Sequence, residues 1–203
     1  MSDFKALLEA RPHAALVRAV GDVAARDGIA AYAVGGFVRD VLLGRPTADV
    51  DFVTVGHGTG IRLAELVAGA LGGATAHVYP NFGTAAVRLH GPEGEAIVFE
   101  FVGARRESYR RDSRKPIVEE GTLQDDQFRR DFTINAMAFD VSPGRFGELV
   151  DPFDGLGDLE RRLIRTPLEP HRTFEDDPLR MIRAARFAAQ LGFTIVPEAF
   201  QAM

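Results

Sequence analysis

Asp49-Val50-Asp51 places two carboxylates two residues apart. On a strand, positions i and i+2 point to the same face. Both acids would then converge while Val50 and Phe52 turn to the core. Adjacent like charges repel, and a divalent cation relieves that repulsion. All-oxygen ligation suits Mg2+, which also binds substrate phosphates. Two such ions would activate the attacking oxygen and stabilise the leaving oxygen of an in-line phosphoryl displacement. Standing alone, the doublet is common in turns, calcium loops and glycosyltransferases, and a purely structural origin is favoured.

Its context adds weight. In Val34-Gly35-Gly36-Phe37-Val38-Arg39-Asp40 a strand ends, two glycines permit close backbone approach, and a helix begins. Backbone N–H groups are offered to a phosphate in this way. Arg39 could add a charge-assisted contact to a triphosphate. A plain Gly-Gly turn with a surface arginine is the competing reading. Glu100, between Phe99 and Phe101, could complete a metal site or act as a base. The alternative is an edge-strand glutamate facing water.

The elements that must hold these groups read as α+β. Apolar spacing predicts helix up to about Asp27, stopped by Gly28. Ile29 to Val34 and Val50 to Val55 read as strands, with a short helix over Phe37 to Leu43 between them. An amphipathic helix over Ile61 to Leu71 precedes three strands, Ala74 to Tyr79, Thr84 to Leu89 and Ala96 to Val102. That order suggests a mixed sheet with helices on one face. Residues 104–130 are polar without a strong period and read as a mobile loop or linker; Glu107 to Gln127 could order on substrate binding. Asp131 to Phe139 is apolar, and Thr173 to Leu191 reads as one strong helix. A boundary near residue 150 divides a head, 1–150, from a second part, 151–203, that looks truncated.

Bulk properties set outer limits. The 203 residues are 46% hydrophobic and 26% charged, as expected of a globular protein. The net charge of −5 argues against a protein that coats nucleic acid along its whole surface, yet leaves room for a local basic groove. Arg105, Arg106, Arg110, Arg111, Arg114 and Lys115 are either such a groove or a solvated mixed-charge surface. No apolar run is long enough to cross a bilayer. Without cysteine there is no thiolate nucleophile and no disulfide framework. The default compartment is the cytoplasm. The five histidines lack ligand spacing and read as structural or surface residues.

A resemblance then becomes specific. Gly35-Gly36-Phe37-Val38-Arg39-Asp40 followed by Asp49-Val50-Asp51 resembles the first signature of class II tRNA nucleotidyltransferases and bacterial poly(A) polymerases. Arg129-Arg130-Asp131-Phe132-Thr133-Ile134-Asn135-Ala136 resembles the second. Asp151-Pro152-Phe153-Asp154-Gly155-Leu156-Gly157-Asp158-Leu159 resembles the third, and Glu175 to Phe187 the fourth. The four fall in the family's order and spacing over residues 31 to about 192.

The resemblance implies a polymerase-β-like head followed by the start of a helical neck. It implies Mg2+ at Asp49 and Asp51, with Glu100 as third acid. It implies nucleotide binding by Gly35, Gly36, Arg39, Arg130, Asp177, Arg180, Arg183 and Arg186. CTP, ATP and a tRNA 3′ end are the expected partners, with no membrane; oligomeric state is not legible. Asn135 is expected to hydrogen-bond locally.

Physical chemistry supports the last group separately. Asp177 and Arg180 are three apart on a helix and share a face. A carboxylate accepts from the exocyclic amine of cytosine or adenine. Uracil and guanine would leave it unpaired. A helix cap by Asp177 before Pro178 is the structural alternative. The expected reaction is addition of C and A to an RNA 3′ end, with poly(A), C-only or A-only synthesis as relatives of the same chemistry. A non-catalytic RNA-binding module and a glycosyltransferase are the readings from other classes.

Overall fold

The computed structural model describes residues 4–47, 49–72, 74–91, 94–110 and 113–203, with backbone alone for 107–110 and 113–118. Two helices open the chain, α1 (Phe4–Glu9) and α2 (Ala14–Arg26). The continuous N-terminal helix expected from apolar spacing is therefore broken around Pro12, which has no N–H to continue the ladder. The break has a use. Arg11 donates to the carbonyls of Val41 and Arg45, closing the end of α3 (Gly36–Leu42), and His13 Nε2 meets the Thr47 carbonyl at 2.8 Å. Both contacts hold the chain that leads into Asp49.

The central sheet contains β1 (Ala30–Val34), β2 (Asp49–Val55), β3 (Ala76–Tyr79), β4 (Thr84–His90) and β5 (Ala96–Gly103), with α4 (Thr59–Ala70) between β2 and β3. Next comes a separate hairpin, β6 (Arg105–Arg110) and β7 (Ser113–Glu120), and then α5 (Leu123–Phe128). The seven-stranded sheet is completed by β8 (Ala138–Asp140) and β9 (Leu149–Val150), in the order β3-β4-β5-β2-β1-β8-β9. The β2–β5 pair is parallel and the other pairs are antiparallel, so the sheet is mixed.

One sheet face is mainly apolar. Phe52, Phe99 and Phe101 cluster there, with ring centroids 5.1–6.5 Å apart, and pack with Val17, Val20, Leu63 and Val67 of α2 and α4. Alternation places Asp49, Asp51 and Glu100 on the other face. That face carries a smaller cluster of Val34, Val53, Ala104 and Ala138, with Leu123 of α5 packed on it.

Residues 104–130 differ from the loop expected there. Their described backbone forms the β6–β7 hairpin and α5, and Thr122 and Asp125 close α5 with a reciprocal capping box. Polar composition hid these elements because the hairpin has little apolar alternation. Residues 111 and 112, and the side chains over 107–118, Arg110, Arg114 and Lys115 among them, lie outside the described residues, and with them that part of the substrate-ordered segment expected over Glu107 to Gln127.

After residue 150 come α6 (Gly155–Arg161), β10 (Leu163–Ile164), α7 (Pro170–Asp176), α8 (Leu179–Leu191), β11 (Thr194–Ile195) and α9 (Pro197–Gln201). Asp151 begins this part by accepting from the Gly155 and Leu156 N–H groups at 2.8 and 2.9 Å. Gly155 needs its hydrogen side chain, because a Cβ there would lie 2.4 Å from the Thr133 carbonyl oxygen. The single helix expected over 173–191 is two, split at Asp177-Pro178. Asp177 is extended, at φ −149° and ψ 100°, as a residue before proline should be. Ile164, Phe174, Ala184 and Phe187 join the main core, so this part does not depend on one helix to bury its apolar groups. Among the described residues no helix is long and apolar enough to cross a membrane.

Candidate active site

Parallel pairing sets Asp51 opposite Glu100 and Asp49 opposite Val98. Register partners project to one face, so the three acids share it. Glu100 lies on an interior strand, between β4 and β2, and not on the edge strand that its alternative reading supposed. Burial pushes the Asp51 carboxyl above the ordinary carboxylate range; Arg130 opposes the rise, while Glu100 and Asp49 add to it. The acids therefore feel one another, as a divalent-metal site requires. Among the described residues no three acidic, histidine or cysteine side chains cage an ion by themselves. Mg2+ is usually held by one or two carboxylates with water and substrate phosphates making up the rest. Asp49 and Asp51 fit that demand.

Gly35 stands at the start of α3 with φ 72° and ψ −136°. A Cβ there would lie 2.9 Å from Arg130 Nη1 and 3.5 Å from Asp51 Oδ2. The positive φ favours glycine here, and a larger residue would also push the Arg130 tip aside. Arg39 is buried and largely committed. Its Nε and Nη2 donate to both oxygens of Asp40 at 3.0 and 2.9 Å, and Nη1 donates to Asn135 Oδ1 at 2.8 Å.

Arg130 is aimed from below. Its Nε and Nη2 donate to Asp126 Oδ2 at 3.0 and 2.8 Å, while Arg129 Nε donates to Asp126 Oδ1 at 2.9 Å. Asp126 is fully buried. Burial alone would raise its carboxyl, but the Arg130 and Arg129 guanidiniums outweigh that and hold it below the usual range.

The second part contributes the opposite wall. Asp177 Oδ1 accepts from the Leu179 N–H at 3.0 Å, so the capping reading is realised, while Oδ2 stands 4.0 Å from Arg180 Nε. Arg180 donates to the carbonyls of Thr173 and Arg129 at 3.2 and 2.6 Å, which ties α8 to the head. Arg183 Nε donates to Asp131 Oδ2 at 2.7 Å, and Asp131 Oδ1 accepts from Asn135 Nδ2 at 3.0 Å. A polar chain thus runs from α8 through Asp131 and Asn135 to Arg39. Arg186 lies over the Phe187 ring at 4.9 Å and makes no ion pair among the described residues.

A cleft of about 530 Å³ lies between these walls. It brings Gly35, Gly36, Arg39, Asp51 and Arg130 together with Asp177, Arg180, Arg183 and Arg186. Asp49 and Glu100 do not line it; they stand on the sheet face shared with Asp51. Arg129, Asp131, Asn135, Phe187 and Gln190 line it without having been singled out as binding residues. Asn135 makes the local hydrogen bond expected of it, to Asp131, and also a long-range one to Arg39. Asp126 escaped notice altogether, although its spacing of three and four from Arg129 and Arg130 is that of helical ion pairs.

Such an arrangement matches known proteins. Residues 31–165 match the family model described as the poly A polymerase head domain. An A-adding tRNA nucleotidyltransferase of Aquifex aeolicus is 46% identical over 165 residues, covering 81% of this chain and 19% of that protein. A CCA-adding enzyme of Geobacillus stearothermophilus is 42% identical over 176 residues, 87% of this chain and 40% of its own length. Among solved structures, a Thermotoga maritima CCA-adding enzyme complexed with tRNA superposes with a TM-score of 0.79 at 33% identity, covering 99% of this chain and 44% of that one. A tRNA nucleotidyltransferase complexed with a primer tRNA and an incoming ATP analog gives 0.75 at 40%, covering 90% of this chain and 48% of the other. The chain spans less than half the length of each of these relatives. With its polymerase-β-like mixed sheet, its acid pair and its glycine turn in place, this chain belongs to the poly(A) polymerase head-domain family.

Proposed function

We propose that the chain is the catalytic head (1–150) and the start of the neck (151–203) of a template-independent RNA 3′-end nucleotidyltransferase. It adds C and A to tRNA from CTP and ATP and releases pyrophosphate. The observation that carries this reading is the cleft, in which the glycine turn with Arg130 faces Asp177 and Arg180 across one opening.

The RNA 3′-hydroxyl attacks the α-phosphorus, the new O–P bond forms, and the bond to pyrophosphate breaks. Gly35 and Gly36 let the triphosphate approach the free N–H groups at the start of α3. Arg130, braced by Asp126, supplies positive charge beside Asp51. Asp177 accepts the exocyclic amine of C or A, and Arg180 donates beside it. Asp49 and Asp51 hold the divalent metals on which this family generally relies; Mg2+ is the ion proposed. When bound, those ions lower the cost of forming the attacking and leaving oxyanions. Since tRNA and nucleoside triphosphates are the proposed substrates, the proposed compartment is the cytoplasm.

Addition of A alone is the second reading, favoured by the 46% identity to the A-adding relative. Incubating the chain with tRNA that lacks its last three nucleotides and, separately, with tRNA that already ends in CC, and sequencing the products, separates the two. CCA addition from CTP and ATP supports the first. A single A, added only to tRNA already ending in CC, supports the second. Long adenylate tails without CTP would overturn both.

A further inference from the structure

The proposed reaction needs two entrances to the acids. In an in-line displacement the attacking and leaving oxygens lie on opposite sides of the phosphorus. The cleft between α3 and α8 takes the nucleotide, so the RNA hydroxyl must arrive from elsewhere. One surface meets the acids from another direction, the bare half of the sheet.

Register shows how that surface is built. Asp51 is opposite Glu100, Glu100 opposite Ala86, and Ala86 opposite His77. One row of side chains therefore runs from the acids to the edge strand, three strand spacings or about 14 Å away. The neighbouring rows on the same face hold Asp49, Val98 and Arg88 on one side, and Val53, Val102, Thr84 and Tyr79 on the other. Leu123 and its cluster cover this face over β1, β2, β8 and the Val102 end of β5, whereas Glu100, Arg88, His77 and Tyr79 are exposed.

The chemistry of this half suits a nucleic-acid strand. Neither β3 nor β4 carries an acid. Arg88 makes no ion pair among the described residues and can meet a phosphate. Tyr79 is 51% exposed, and Phe82, in the turn that follows it, is 71% exposed. Exposed aromatic rings on one side of that row can stack on single-stranded bases, and the cation on its other side can meet their phosphates.

We propose that the single-stranded 3′ end of the acceptor RNA crosses the uncovered face of β5, β4 and β3, with Arg88 on its phosphates and Tyr79 and Phe82 stacking on its bases, and delivers its hydroxyl to Asp49, Asp51 and Glu100. This rests on the nucleotidyltransferase reading above.

Two measurements test it. Single-stranded RNA carrying a photoreactive uridine near its 3′ end is cross-linked to the chain and the adduct mapped by mass spectrometry. Adducts on Tyr79, Phe82 or their neighbours on β3 and β4 are expected; adducts confined to α8 and α9 would overturn the track. In extension assays, Arg88→Glu should raise the RNA KM about tenfold or more and leave the nucleotide KM unchanged. Arg26→Glu, an exposed reversal on α2 across the sheet, should change neither KM. An unchanged RNA KM in Arg88→Glu, or an equal rise in Arg26→Glu, would also overturn it. If the chain extends no RNA, the catalytic reading fails, and the cross-link map still decides the track.

Discussion

Asp51→Asn is expected to lower nucleotide incorporation by at least about 10³-fold while leaving the protein folded. The carboxylate is proposed to hold a metal ion whose stabilisation of the transferring group amounts to several kcal/mol, at 1.36 kcal/mol per factor of ten. Stability should move the other way or not at all. Burial and neighbouring acids raise the Asp51 carboxyl, so its ionised form is disfavoured in the folded chain. Ionisation near neutral pH then costs stability, and the neutral amide removes that cost. Single-turnover incorporation alongside a metal-free thermal melt reads both effects. A variant as active as the parent would remove Asp51 from the chemistry. A lower melting temperature would mean that its carboxylate supports the fold.

Asp126→Ala carries the largest expected stability loss. The carboxylate is fully buried under two guanidiniums, and removing it takes away the acceptor that both share. Breaking a buried pair in this way costs about 3–5 kcal/mol. For a chain of this size each kcal/mol lowers the melting temperature by about 2–4 °C, which gives a fall of about 6–20 °C. A pH signature accompanies it. Because the folded carboxyl lies below its unfolded value of 3.8, its stabilisation is present above that value and is lost as pH falls through the lower folded one. The parent should therefore lose stability in that acid window more steeply than the variant. Nucleotide affinity should fall too, since Arg130 loses the group that aims it. A melting temperature within about 2 °C of the parent would contradict the buried triad.

Where local pattern and tertiary need agree, the sequence is easily read. Val50 and Phe52 alternate with Asp49 and Asp51, and Phe99 and Phe101 flank Glu100, so the acid-bearing face could be assigned before the pairing of β2 with β5 was known. The glycine turn was legible for the same reason, because a positive φ beside a helix start leaves few alternatives. Segment ends were harder. Pro12 and Pro178 interrupt apolar spacing that otherwise continues across them, and each interruption places a functional group, Arg11 at the end of α3 and Asp177 at the cleft. The stretch 104–130 was least legible. Its hairpin is specified by cross-strand backbone pairing, which a period search misses, and Asp126 reveals its role only once α5 turns it inward. The third signature also gained a physical meaning. Asp151 caps α6, and buried Asp158 accepts from Thr133 Oγ1 at 2.8 Å, so this motif fastens the second part to the floor of the cleft.

Arg39 shows how a residue can line a cleft while most of its donors point elsewhere. It lines the cleft, yet three of its donors are spent on Asp40 and Asn135. It stands at one end of the polar chain that runs through Asn135 and Asp131 to Arg183 on α8.

Equilibrium binding of the four nucleoside triphosphates, to the parent chain and to Asp177→Ala, bears most directly on whether one cleft reads both triphosphate and base. One well-made base contact is worth about 1–3 kcal/mol. CTP and ATP should therefore bind about ten- to a hundredfold more tightly than UTP and GTP, and Asp177→Ala should bring all four close together. Equal affinity for the four in the parent, or a preference that survives in Asp177→Ala, would contradict it.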